Sequence, residues 1–302
     1  MMNILVTLNE NYIEPLKVML WSLFFNNPNE NFCIYLIHSS IPVRRIAELE
    51  TFVSKKGQNL SVISIHNNWF MDAPVVMHYS KEMYYRLLAY KVLPIDLEKI
   101  LYLDPDILVI NPIRELYNTD ITNYLYAASY HDRIPVKGIN MVRLKTYEME
   151  EYFNSGVLLM NLTLQREKVN EKDIHEFIVK YKGRLVLPDQ DILNTLYSGE
   201  IKKISEIKYN YDARYYQYYK FMSNGEINID YVMHHTSILH FCGKKKPWRK
   251  NYSGKFHALY KHYETLAVRE MSSLSAAMGG IPFSEAVMFP DSKDHALLLR
   301  FI

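Results

Sequence analysis

Apolar residues along this chain fall into short continuous blocks separated by stretches in which they recur every three or four positions. NILVTL, FCIYLI and LSVISI are such blocks, and residues 17–26 and 44–55 are the helical stretches between them. This strand and helix alternation predicts a parallel sheet covered on both faces. A further helix over 83–93 leads into the strand KILYL. In open sheets of this kind ligands bind beyond the carboxyl ends of the strands. Asn9 and Asn11, just past the first strand, then share an edge with Asp104 and Asp106, just past KILYL. Beyond Pro112 the pattern is mixed: YLYAASY and GVLLMNL read as strands, 171–182 as a helix, and a short helix begins near Asp189. The tyrosine-dense run KYNYDARYYQYYKF has no clean period and predicts a loop-rich wall. ILHF reads as another strand, 253–270 is helical again, and Gly279, Gly280 and Pro282 mark a small tail.

A chain of 302 residues can form one large domain or a main domain with an appendage. The formal net charge of +2 gives no reason to expect a nucleic-acid partner. Two cysteines, Cys33 and Cys242, exclude a disulfide scaffold, and their apolar neighbours suit buried thiols. MMNILVTLNENY reads directly as a strand, without the basic leader and apolar core of a secretory signal. The run VMLWSLFF is far short of the roughly 20 residues that span a bilayer, so a cytoplasmic protein is the expectation.

The candidate chemistry centres on LYLDPDILV. In extended backbone Asp104 and Asp106 point to one side, where a hard divalent cation could sit between them. Taken alone, Asp-x-Asp is usually a solvated turn, and a histidine such as His240 at the end of ILHF is usually structural. Together, imidazole and carboxylates suit Mn²⁺ or Mg²⁺, whereas zinc would recruit thiolates or further histidines. Gly243 to Lys246 forms a basic loop that could fold over an anion, and Asp189-Gln190-Asp191 reads equally as a helix cap or as site residues. Asn154-Ser155-Gly156 offers small polar groups at the mouth of a strand.

NILVTLNENY, YYRLLAY, LYLDPDILV, YFNSGVLLMNL, LPDQDILN and HFCGKKKPW stand here in the order that resembles the retaining glycosyltransferases of family 8. The likeness is strongest to bacterial lipooligosaccharide α-galactosyltransferases and general-stress glycosyltransferases. It covers roughly 3–248 and leaves the last fifty or so residues unmatched. It implies an α/β GT-A fold, a Rossmann-like mixed sheet with helices on both faces, over 1–250, and a small helical C-terminal extension over 251–302. It further implies a UDP-hexose donor, with galactose or glucose as the hexose, bound through Mn²⁺ or Mg²⁺. Asp104, Asp106 and His240 match the metal ligands. Leu8, Asn9, Asn11 and Tyr12 match the uridine loop, with Tyr12 stacked on uracil and Asn9 standing where relatives often carry aspartate. Arg86, Asn154, Asp189 and Gln190 match residues around the transferred sugar, with Ser155 among the donor-binding groups. His78, Gly243 and Lys246 match groups that close over the phosphates.

The metal and Lys246 would stabilise negative charge developing on the leaving diphosphate. With Gln190 a poor nucleophile, front-side displacement with retention is expected, and paired-carboxylate hydrolysis is not. The acceptor is expected to be a saccharide, glycolipid or glycoprotein. The tyrosines of 209–219 offer it an aromatic platform, and the basic and aromatic stretch 244–261 offers contact with the inner face of a membrane. A non-catalytic UDP-sugar sensor would carry the same binding groups. A sugar nucleotidyltransferase would need a Gly-rich basic loop that TLNENY lacks.

Overall fold

The computed structural model describes residues 1–65, 70, 81–130 and 151–277, with side chains to residue 270. Strands β1 (Met2–Thr7), β2 (Phe32–His38), β3 (Asn59–Ser64), β4 (Lys99–Leu103), β6 (Tyr126–Tyr130), β7 (Phe153–Asn161) and β8 (Ile201–Lys203) form a sheet of order β3-β2-β1-β4-β7-β6-β8. β1 to β4 are mutually parallel, β7 runs antiparallel to β4 and to β6, and β8 is parallel to β6. Strands β5 (Ile107–Val109), β9 (Tyr211–Asp212) and β10 (Ile238–His240) make a second sheet of order β5-β10-β9.

The period of two along each strand sorts its side chains between two cores. Ile4, Val6, Leu101 and Leu103 join one cluster, while Leu5, Ile100 and Tyr102 join the other. Both faces are covered, so the central strands read as unbroken apolar blocks; edge strand β3 has only exposed and half-buried positions. Helix α1 (Ile13–Phe25) is apolar on nearly every side because it is packed from both sides. Leu16, Met19, Leu20 and Leu23 meet the large sheet, and Val18 belongs to a third cluster with Leu108 and Leu239 of the small one. Helix α2 (Val43–Lys55) buries only the stripe Leu49, Phe52 and Val53.

Some boundaries differ from the sequence pattern. The helix expected over 83–93 is only α3 (Glu82–Tyr85), followed by a 3₁₀ turn at Ala89–Lys91. The Leu87 amide bonds Tyr84 O at 3.0 Å, and the Arg86 Nε takes Met83 O at 3.0 Å, so the side chain of Arg86 competes with the helical ladder. The tyrosine-dense run is also more ordered than its pattern suggests. It supplies β9 and the helices Glu206–Tyr209 and Tyr216–Met222, with Tyr209, Tyr211, Tyr216 and Tyr219 buried.

Helices α4 (Glu171–Tyr181) and α5 (Pro188–Tyr197) cover the sheet beside β7. The final helix α6 (His257–Ala277) lies on α1: Asn26 Nδ2 donates to Val109 O at 2.9 Å and to Tyr263 Oη at 2.8 Å. Trp248, Tyr252, Phe256 and Tyr260 are buried in the third cluster, so the aromatic half of the stretch predicted to face a membrane is core. Among the described residues no helix is long and apolar enough to cross a membrane.

α5 is fastened to β7 by one side chain. Asn194 accepts from the Phe153 amide at 2.6 Å and donates at 2.8 Å to both the Phe153 and the Gln190 carbonyls. Asn194→Ala strands both backbone groups of Phe153 in a dry interior, at about 1–3 kcal/mol per unsatisfied group. We expect a loss of about 3 kcal/mol in chemical denaturation; a loss below about 1 kcal/mol would mean that the pairing is dispensable.

Candidate active site

The strand order places β2 and β4 on opposite sides of β1, so the chain reverses direction across the sheet between β1 and β4. The carboxyl ends of those two strands therefore flank a crevice. Asn9, Asn11 and Tyr12 follow β1, and Asp104 follows β4. β7 runs the other way beside β4, with Leu103 opposite Val157, so Asn154, Ser155 and Gly156 reach the same edge. The Asp104 amide bonds Gly156 O at 2.8 Å. The small sheet brings in the remaining ligand: His240 is opposite Ile107, and the Phe241 amide bonds Asp106 O at 3.0 Å.

Asp104, Asp106 and His240 offer ligand atoms within 4.8 Å of one another. His240 Nε2 lies 3.2 Å from Asp106 Oδ1 and 3.7 Å from Asp104 Oδ2, while its Nδ1 is 2.8 Å from Asn210 Oδ1. Nδ1–H donating to that amide leaves Nε2 aimed at the carboxylates, the tautomer a metal ligand requires. The carboxylates are fixed from behind as well. Asp104 Oδ1 accepts from Tyr102 Oη at 2.5 Å and pairs with Arg86 Nη2 at 3.0 Å.

These residues fit a divalent cation on two grounds. The donor set is two carboxylates and one imidazole, and the space in front of it depends on Gly156. A Cβ there would sit 2.2 Å from His240 Cε1 and 2.7 Å from Asp104 Oδ2. Positive charge also comes from Lys246, whose Nζ bonds Asp106 Oδ2 and, at 3.1 Å, Phe241 O. Burial works against the Asp106 charge, but Lys246 and His240 prevail and hold its carboxyl well below the usual range. Burial also opposes charge on His240, yet Cys242 and Asp106 carry its pKa well above the ordinary imidazole value. Burial raises the Cys242 thiol, which stays neutral near pH 7, so Asp106 is the partner that matters.

A second polar group adjoins the first through Arg86. Its guanidinium lies 4.2 Å over the Tyr102 ring, pairs with Asp189 at 3.3 Å and donates to Ser155 O at 2.9 Å. Ser155 Oγ donates to Asp189 Oδ2 at 2.8 Å. Burial raises the Asp189 pKa despite Arg86. Gln190 Oε1 accepts from Ser155 N at 3.2 Å and Asn154 Nδ2 at 3.3 Å. The neighbouring Asp191, by contrast, is structural: it takes the Val186 and Leu187 amides at 3.0 and 3.2 Å and the Tyr152 hydroxyl at 2.6 Å.

Most of the predicted site residues thus meet on one edge. Asn9 Oδ1 caps a 3₁₀ turn by accepting from Asn11 N at 3.0 Å. Tyr12 is held by the edge of Trp248, with ring centroids 5.8 Å apart. The Leu8 side chain is in the core, so only its backbone faces the crevice edge. Gly243 has φ +85°, and a Cβ there would meet Arg214 Nη1 at 2.7 Å. His78 is outside the described residues. The sequence reasoning missed Tyr102, Gly156 as a spacing requirement, and Asn210. The parity of Tyr102 with Asp104 was a usable signal; Asn210, one amide amid tyrosines, gave none.

The sequence pattern described as glycosyl transferase family 8 matches residues 3–252. General stress protein A of Bacillus subtilis is 27% identical over 275 residues, covering 87% of this chain and 92% of that protein. Lipopolysaccharide 1,2-glucosyltransferase of Escherichia coli is 26% identical over 261 residues, covering 82% and 73%. The crystal structure of galactosyltransferase LgtC in complex with donor and acceptor sugar analogues has the same fold, with TM-score 0.76 and 24% identity over 88% of this chain and 96% of that one.

Two outcomes follow from this geometry. Gly156→Ala pushes a methyl group into the ligand space between buried side chains and should weaken Mn²⁺ binding about 10–100-fold with the fold retained; unchanged affinity by calorimetry would show that the space is not the ion's. His240 must shed a proton before Nε2 can ligate, so Mn²⁺ affinity should rise about tenfold per pH unit up to the His240 pKa and level off above it. A flat profile below that pKa would remove His240 from the ligand set.

Proposed function

The chain belongs to glycosyl transferase family 8, and from that premise we propose that it is a retaining hexosyltransferase moving galactose or glucose from a UDP-sugar to a glycan or glycoconjugate. The observation that carries this reading is the meeting of Asp104, Asp106, His240 and Lys246 on one side of Arg86 with Asn154, Ser155, Asp189 and Gln190 on the other. A Mn²⁺ or Mg²⁺ ion held by the first three residues would supply positive charge to the diphosphate of the leaving UDP.

In this reading the chain's own groups divide the work. Tyr12, braced by Trp248, offers a ring face for uracil, and the Asn9 amide oxygen keeps a second lone pair for the base beyond its bond to Asn11. Lys246 is buried with its ammonium charged, because Asp106 outweighs the burial that would lower its pKa. It would exchange this carboxylate for phosphate oxygens and stabilise charge on the leaving group. Arg86 fixes Asp104 and Asp189 together, which ties the metal side of the crevice to the sugar side. Asp189 is committed to Arg86 and Ser155, and Gln190 presents only an amide, so neither is an activated nucleophile. This supports front-side attack with retention, the donor phosphate helping to deprotonate the acceptor hydroxyl. Residues 1–250 form the transferase domain and 251–302 an extension whose helix α6 braces α1.

Incubation with UDP-glucose and UDP-galactose, with and without Mn²⁺, should release UDP only when the metal is present. Asp106→Ala should lower that release at least about 100-fold. Tight donor binding with no release before any candidate saccharide acceptor would favour a sensor, and failure to bind either UDP-sugar would sink the proposal.

A further inference from the structure

One cavity lies beside the crevice and takes no part in the site just described. It has a volume of about 590 Å³ and is lined from three segments: Ala213, Arg214, Tyr216 and Gln217 at the start of the helix Tyr216–Met222, then Cys242 to Lys245, and Tyr252 to Lys255. None of Asp104, Asp106 and His240 lines it, and neither does Lys246. It nevertheless adjoins them, because Cys242 is two residues beyond His240 and Lys245 immediately precedes Lys246.

Its lining is one-signed. Arg214, Lys244, Lys245 and Lys255 all face it, and no Asp or Glu does. Among the described residues no ion pair engages Lys244, Lys245 or Lys255. Arg214 is half engaged and rigidly aimed. Its Nε and Nη2 hold the buried Asp212 at 2.9 and 2.6 Å, which leaves Nη1 without a hydrogen bond among the described residues. That free nitrogen lies over Gly243, where a Cβ would approach it to 2.7 Å. A second glycine shapes the opposite wall: a Cβ on Gly254 would meet the Tyr252 hydroxyl at 2.2 Å. The tyrosines give the cavity a flat floor, with Lys255 Nζ 5.5 Å from the Tyr216 ring.

Four cationic groups with no acid among the lining residues give this recess a positive potential that favours an anion. Arg214 presents a fixed donor edge of the kind that recognises phosphate, and the flexible lysines close around it as point charges. Resting on the transferase reading above, we propose that this cavity is the acceptor subsite and that the acceptor is anionic, carrying a phosphate group that Arg214, Lys244, Lys245 and Lys255 receive. The aromatic walls take the sugar ring to which the phosphate is attached. The acceptor hydroxyl is thereby delivered past the Cys242–Gly243 turn towards the metal side of the crevice. The consecutive lysines divide the loop: Lys246 serves the donor, and Lys244 and Lys245 serve the acceptor.

The test compares glucose 6-phosphate with glucose by calorimetry and ligand-observed NMR, with UDP and Mn²⁺ present in excess so that the donor side is filled. Wild-type protein should bind the phosphorylated sugar at least about tenfold more tightly, with a preference that shrinks as salt is raised. The triple variant Lys244→Ala, Lys245→Ala, Lys255→Ala should reduce the preference to within about twofold while leaving UDP affinity and the thermal midpoint unchanged. Equal binding of the two sugars by the wild type, or a preference that survives in the variant, overturns the proposal. Sedimentation with phosphatidylcholine vesicles containing phosphatidylglycerol covers the other source of phosphate. Lysine-dependent vesicle binding without a sugar-phosphate preference overturns it in favour of a membrane surface. Absence of Mn²⁺-dependent UDP release in the wild type counts against the transferase reading alone, because the phosphate preference is read by binding.

Discussion

Three carboxylates, Asp104, Asp106 and Asp189, converge beside the crevice between β1 and β4, and the site is organised around pairing them with cations. Asp106 and Asp189 are buried, and an unpaired buried carboxylate would take up a proton rather than persist. Two cations serve the three: Lys246 pairs with Asp106, and Arg86 is shared between Asp104 and Asp189. The two cations come from different parts of the fold. Arg86 arrives from a helix that its own side chain shortens, and Lys246 from the loop after the small sheet. Losing either would leave a buried charge unmatched, which costs more than the intact pair gains.

That electrostatic arrangement explains why the fold needs its second sheet. β5 continues directly from the Asp pair, and β10 returns antiparallel to it, so the pairing of His240 with Ile107 fixes the imidazole relative to Asp106 by backbone register. A slip of one residue would turn His240 to the opposite face. α1 is wedged between the two sheets, and α6 closes the far side through Asn26 and Tyr263. The apolar character of α1 on nearly every side, unusual for a helix in such a protein, reflects these two neighbours.

The sequence makes the first half of this plain and the second half obscure, for a physical reason. From β1 to β3 each strand lies beside the one before it, and the buried strands up to β4 announce themselves as apolar blocks with the Asp pair at the end of one. Asp104, Asp106 and His240 are brought together as the motifs imply, and Arg86, Asn154, Ser155, Asp189 and Gln190 lie within one hydrogen-bonded set. The supporting residues are not legible because their roles come from long-range packing. Asn210 is identified only once β9 has paired beside β10, and Gly156 only once His240 has come within contact of its missing Cβ. The tyrosine-rich run misleads for the same reason: its rings pack against α6 and the small sheet, and no local period records that. The break after α3 is hidden because MYYRLLAYK has good helical residues throughout, while the competing bond is a side chain that the site also uses.

The basic loop shows how far identical residues can diverge in role. Lys244, Lys245 and Lys246 are indistinguishable as a charge run, and such a run is ordinarily a solvated face. The turn at Gly243, with φ +85°, separates them by setting where the chain leaves the small sheet. Lys246 is carried inward to a carboxylate that keeps it charged despite burial, and Trp248 follows it into the third cluster. Lys244 and Lys245 remain exposed above Arg214. Glycine suits that turn by the sign of φ, and a Cβ there would come within 2.7 Å of the Arg214 guanidinium, whose tip would have to move aside. A single backbone turn thus connects a buried cation paired with Asp106 with exposed cations lining the next cavity. A backbone shift at Gly243 would therefore move the charges in both recesses.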